Sequence, residues 1–165
     1  MIRPLRITYF VCIYVLILIL SNITYANENR QSTPELKVHF PIVDKVKVLA
    51  EEQKEEIFII YSDYDCYSFI QISLLIVNSP NEVSGENFLT NFSGHSNQRV
   101  VIRLVTSTKE VGLFWTEALN GSLEGTSKNY RAKFEPYLTD GKFYEAALYG
   151  SLEIIKILSP EYKVL

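Results

Sequence analysis

Arg99-Val100-Val101-Ile102-Arg103-Leu104-Val105-Thr106 puts Val100, Ile102 and Leu104 on one face and Val101, Arg103 and Val105 on the other. A period of two with β-branched residues is the pattern of a strand. Outward from it, further short runs carry the same residue types: Lys37-Val38-His39-Phe40, Lys45-Val46-Lys47-Val48, Glu56 to Tyr61, Ser68 to Val77, Val111 to Thr116, Lys142 to Tyr149 and Leu152 to Leu158. Turn-forming clusters separate them: Asn78-Ser79-Pro80-Asn81, Ser84-Gly85-Glu86-Asn87, Ser93-Gly94-His95-Ser96-Asn97, Asn120-Gly121-Ser122 and Thr139-Asp140-Gly141. Glycine and asparagine accept positive φ there and proline fixes it. Only Ala50-Glu51-Glu52-Gln53-Lys54 suggests a helical turn. Regular strands without long amphipathic helices predict an all-β domain, an antiparallel β-sandwich of jelly-roll type.

The amino terminus has a different character. Arg3 and Arg6 precede an apolar stretch from Tyr9 to Leu20, and Ser21 to Ala26 is polar with small residues at Thr24 and Ala26. This is the layout of a secretory signal, too short for the roughly 20 residues of a spanning helix. The expected organisation is a signal peptide at 1–26, a flexible segment at 27–35 and the sandwich at 36–165, in a secreted, extracellular protein without a stable membrane anchor. The formal net charge is −3, and it becomes more negative once the two signal arginines leave. An acidic domain without a basic block argues against nucleic acid as a partner.

Cys12 leaves with the signal, so Cys66 has no internal disulfide partner. It reads either as a buried thiol or as the link of a homodimer. The carboxylates in Asp63-Tyr64-Asp65-Cys66 weigh against a nucleophile. Asn91-Phe92-Ser93 and Asn120-Gly121-Ser122 are sequons for asparagine-linked glycans.

Most catalytic devices are missing from the sequence. His39 and His95 lie in no zinc-ligand spacing, so no metal is expected. There is no Gly-x-Ser-x-Gly elbow, no phosphate loop and no Gly-x-Gly turn, and no cofactor is expected. Glu117, Glu124, Glu145 and Glu153 qualify as acid–base groups by type alone. The richest polar cluster is His95, Asn97 and Arg99, followed by Trp115 and Glu117. An aromatic face with polar forks suits a sugar or a small apolar ligand. His95, Asn97 and Arg99 also repeat the His-x-Asn-x-Arg spacing of galectin-type sugar binders, without that family's proline.

Gly94-His95-Ser96-Asn97-Gln98-Arg99-Val100-Val101-Ile102-Arg103 resembles a segment of the farnesoic acid O-methyltransferase-like domain found in arthropod secreted proteins. Val48-Leu49-Ala50, Ile57 to Ser62, Phe114 to Glu117, Asn120 to Leu123 and Tyr149 to Ile154 look like other parts of it. The family's Gly-Gly-Trp is Ser93-Gly94-His95 here, and Cys66 to Asn87 looks like an insertion. The resemblance implies a β-sandwich, and its name implies methyl transfer to a sesquiterpenoid acid. The sequence shows no methyl-donor site. The expected function is therefore a secreted recognition module for a glycan or small apolar ligand, with O-methyl transfer to a sesquiterpenoid acid or a non-enzymatic structural or interaction role as alternatives.

Overall fold

Asp44 ends the first strand and folds the chain behind it. Its carboxylate accepts the backbone N–H groups of Val46, Lys47 and Leu49 at 3.2, 2.8 and 2.9 Å. The loop it gathers delivers Ala50 to the start of a long helix, where Gln53 Oε1 accepts the Ala50 N–H at 2.9 Å and Glu51 and Glu52 face the positive end of the helix dipole. The computed structural model describes residues 41–91 and 96–163, all within one compact unit, Lys37–Leu165. The expected signal peptide, the segment 27–35, the run Lys37 to Phe40 and the residues Phe92 to His95 lie outside the described residues.

In chain order the elements are β1 (Ile42–Asp44), α1 (Glu51–Ser68), β2 (Gln71–Val77), α2 (Gly85–Asn91), β3 (Arg99–Val105), β4 (Glu110–Trp115), a 3-10 turn (Glu117–Leu119), α3 (Asn120–Leu123), α4 (Thr126–Thr139) and α5 (Phe143–Leu158). The sheet order is β1-β2-β3-β4. β1 runs parallel to β2 and β2 parallel to β3, with Leu74 opposite Ile102, while β3 and β4 form an antiparallel hairpin with Ile102 opposite Leu113.

The all-β sandwich is therefore corrected to a mixed α/β fold. Three expected strands coincide with β2, β3 and β4. The others do not: Lys45 to Val48 is the irregular loop held by Asp44, Glu56 to Tyr61 lies inside α1, and Lys142 to Tyr149 with Leu152 to Leu158 falls mostly in the single helix α5. Ser84 opens α2, its Oγ accepting the Asn87 N–H at 3.0 Å. The stretches of the resemblance at Ile57 to Ser62 and Tyr149 to Ile154 are helical, so the sandwich it implies is not this fold. Strands alternate with helices along the chain, contrary to the expectation of regular strands without long helices.

Packing explains why the helices win. Ile57, Tyr61 and Tyr64 are the buried residues of α1, spaced four and three apart, while Ile59 stays 52% exposed. In α5 the buried pairs Ala146-Ala147, Gly150-Ser151 and Ile154-Ile155 recur every four residues. Both are helical periods. These faces, with Tyr130, Phe134 and Leu138 of α4, cover Ile72, Leu74, Ile76, Val100, Ile102 and Leu104. The other face of the sheet, with Leu75, Val77, Val101 and Val105, packs on Phe88 of α2. Gly85 lets α2 come that close, because a Cβ there would lie 2.0 Å from the Phe114 ring.

Hydroxyl pairs tie α1 to the C-terminal part of the chain. Ser151 donates its one proton to Ala147 O at 2.6 Å, so Tyr61 Oη donates to Ser151 Oγ, also at 2.6 Å. Burial pushes the Tyr61 phenol up, and the Ser151 bond offsets part of that rise. Tyr64 Oη meets Ser159 Oγ at 2.9 Å. Tyr130 Oη, by contrast, is buried without a hydrogen-bond partner among the described residues, and it stands 2.5 Å from where a Cβ on Gly150 would be.

Two outcomes follow from these contacts. Gly150→Ala is expected to lower stability by about 2 kcal/mol through overpacking. Tyr130→Phe, which removes an unsatisfied hydroxyl, is expected to be neutral or stabilising and to rescue part of the Gly150→Ala loss; urea unfolding of both single variants and the double variant measures the coupling, and strict additivity would refute the contact. Secondly, the Tyr144 hydroxyl donates to Glu56 Oε2. That bond first, and burial second, raises the phenol from 10.0 to about 12. Above the ordinary value the unfolded chain loses this proton while the folded chain keeps it. The stabilisation is thus full below pH 10 and disappears as pH rises through about 12. Phenolate absorbance of the Glu56→Gln protein is expected to show one tyrosine titrating closer to the ordinary value than in the parent.

Candidate functional site

The spacing of Glu51, Lys54, Glu55 and Phe58 puts all four on one face of α1. That face, with Ile42 and Asp44 of β1, lines an open cleft of about 590 Å³. Ile42 and Phe58 supply apolar surface, and the charged groups belong to the first two turns of the helix. Lys54 Nζ reaches Glu51 Oε1 at 2.7 Å and stands 4.0 Å from Asp44 Oδ2. The Asp44 side chain has no exposed surface and is committed to the backbone of its own loop. Glu55 is exposed. One lysine among three carboxylates leaves the cleft acidic.

The cleft runs beside β1, from Ile42 at its start to Asp44 at its end. Its volume is within the range of small-molecule sites. No histidine, cysteine or serine is among the residues lining it. Among the described residues no group of three metal-ligating side chains occurs, and no described helix is long and apolar enough to cross a membrane.

Arg99 and Trp115, singled out from the sequence, sit at the other end of the sheet. Register aligns Asp44 with Ile76, and Ile76 with Leu104, whereas Arg99 begins β3. Arg99 donates its N–H to Thr116 Oγ1 and accepts the Thr116 N–H, each at 3.0 Å, which staples the start of β3 to the end of β4. Trp115 pairs with Val100 and packs against the main core. Arg99, next to Val100, belongs to the opposite face of the sheet by strand alternation. An aromatic platform and a guanidinium fork on opposite faces cannot grip one ring. Asn97 is exposed, Glu117 is exposed at the start of the 3-10 turn, and His95 lies outside the described residues. Ser96 ties this turn to the end of α1 by donating to Phe69 O at 2.6 Å.

Cys66 is an exposed thiol on α1, not a buried one. Near it in sequence, Tyr67 is 50% and Phe69 70% exposed, and Phe69 caps the helix in the left-handed region at φ 59°, an uncommon backbone for a bulky residue. Of the two sequons, Asn120 is exposed and its Oδ1 accepts the Trp115 Nε1–H at 2.9 Å. Asn91 is exposed at the end of α2, and Phe92 and Ser93 lie outside the described residues. The cleft is hidden in the sequence because its helix reads as a helical turn followed by a strand, and the spacing 51, 54, 55, 58 carries meaning only on one continuous helix.

No family model matches the chain, and no curated protein matches it. Solved structures do. The N-terminal domain of a P. gingivalis protein, determined by solution NMR, matches with a TM-score of 0.64 at 15% identity, over 77% of this chain and 88% of that one. The N-terminal domain of the cg2496 protein from Corynebacterium glutamicum matches with a TM-score of 0.56 at 11% identity, over 77% of this chain and 85% of that one. At such identities the likeness establishes a shared α/β fold and leaves the activity to be argued from this chain's own residues.

Proposed function

We propose that the chain is exported and that its α/β domain is a recognition module for a small ligand with an apolar body and a cationic group. The single observation behind this reading is the cleft between β1 and α1, lined by Ile42 and Phe58 together with an excess of carboxylate over lysine. The apolar body displaces water from Ile42 and Phe58. The cation faces Glu55 and Glu51, which Lys54 only partly neutralises. The reading is one of binding, and no chemical step is assigned to the cleft.

Phenethylamine and phenylpropionate, near-matched in size and opposite in charge, separate this from nonspecific apolar uptake. Amide chemical-shift titration is expected to move residues of β1 and the first two turns of α1 with the amine and not with the acid. Glu55→Lys, an exposed substitution, is expected to weaken the amine at least about tenfold, or about 1.4 kcal/mol. Equal responses to both compounds, or shifts confined to other surfaces, would reject the cleft.

Self-association through Cys66 is a second reading, favoured by the exposed thiol with Tyr67 and Phe69 close by in sequence. Two Cys66 thiols oxidised by a disulfide donor of the export route would give one bridge and two reduced donor thiols. Non-reducing electrophoresis of the exported protein is expected to show a dimer that reductant and Cys66→Ser both abolish. A monomer in the absence of reductant removes this reading.

A further inference from the structure

We propose that Asn120 carries an asparagine-linked glycan in the exported protein. The inference rests on the export reading above, since the donor of such a glycan, a lipid-linked oligosaccharide, is met only on the far side of the membrane. In the transfer, Asn120 Nδ2 bonds to the first sugar's anomeric carbon and gives up a proton. The bond from that carbon to the lipid diphosphate breaks, and the diphosphate leaves with the electron pair.

Three observations select this site. Asn120-Gly121-Ser122 satisfies the acceptor pattern, with a non-proline residue in the middle. All three residues are exposed in the folded domain, and a Cβ placed on Gly121 would meet nothing within 4 Å, so a bulky substituent has open space around it. The third is the orientation of the amide. An indole N–H can only donate, so the Asn120 atom facing Trp115 Nε1 at 2.9 Å must be the oxygen. The bond therefore fixes which way the carboxamide points. Oδ1 is engaged by the protein, and Nδ2, the atom the sugar is built on, is turned away from the indole. Attachment leaves Oδ1 and its bond intact.

The helical conformation of α3 does not oppose transfer, because the acceptor is modified on the extended chain as it crosses the membrane, before the helix forms. What the fold must do is tolerate the product, and the exposure of residues 120–122 meets that requirement.

The full chain is expressed in a eukaryotic cell in an Asn91→Gln background, which leaves Asn120-Gly121-Ser122 as the only sequon beyond the signal. Medium and cells are both sampled with and without peptide N-glycosidase. The expected result is secreted protein whose mobility increases in one step on enzyme treatment. Ser122→Ala is expected to abolish that step while keeping Asn120 and its bond to Trp115, and Ser122→Thr is expected to keep the step. Secreted protein that the enzyme leaves unchanged, or a step that survives Ser122→Ala, overturns the glycan while export stands. Protein found only in the cytosol overturns the export reading, and the glycan with it.

Discussion

β2 and β3 are parallel neighbours that are buried on both faces, and that constraint governs the rest of the domain. Leu74 and Ile102 meet on the side of α1, α4 and α5, while Leu75 and Val101 face α2. A parallel pair needs a connection that crosses over the sheet, and the segment between β2 and β3 contains α2. A sheet with apolar residues on both sides needs a layer on each. Among the described residues one layer is broad, built from α1, α4 and α5 with Leu119 and Leu123 beside them. The other is the seven-residue α2, and it fits only because Gly85 offers no Cβ to the Phe114 ring.

Which parts of this were legible follows from where each signal resides. β3 and β4 carry their alternation in consecutive residues, and their boundaries can be read directly. β2, Gln-Ile-Ser-Leu-Leu-Ile-Val from Gln71, is apolar almost throughout and could be recognised as a strand, but the same feature points to burial on both faces and thus against a two-layer sandwich. α1 hides its nature because Ile57-Phe58-Ile59-Ile60-Tyr61 is locally rich in strand formers. Its buried set, Ile57, Tyr61 and Tyr64, declares a helix only when the exposed Ile59 is recognised as lying outside the core. α5 hides in the same way behind Tyr149 and Ile154-Ile155, although Ala146-Ala147 and Gly150-Ser151 are small enough for a helix to lie close to its neighbours.

The candidate site shows the cost of one misread element. Once Glu51 to Phe58 is divided between a turn and a strand, Glu51, Glu55 and Phe58 have no common surface, and attention moves to the polar turn near Arg99. That turn is real, but strand alternation sends Arg99 and Trp115 to opposite sides of the sheet. Asp44 was equally silent. A lone aspartate after a short apolar run gives no sign that its carboxylate will gather three backbone amides and so set the position at which α1 begins.

The bonds from Tyr61 to Ser151 and from Tyr64 to Ser159 join residues 90 and 95 positions apart. The helix nearest the start of the domain is thus completed by the segment nearest its end. A chain emerging from a ribosome or threading a translocation channel amino terminus first has α1 in hand early, with Ile57, Tyr61 and Tyr64 uncovered. It cannot bury them natively until α5 has also come through. Throughout that interval the strand-like run at Ile57 to Tyr61 is open to other chains, which makes vectorial emergence, rather than the finished fold, the stage at which this protein most needs shielding.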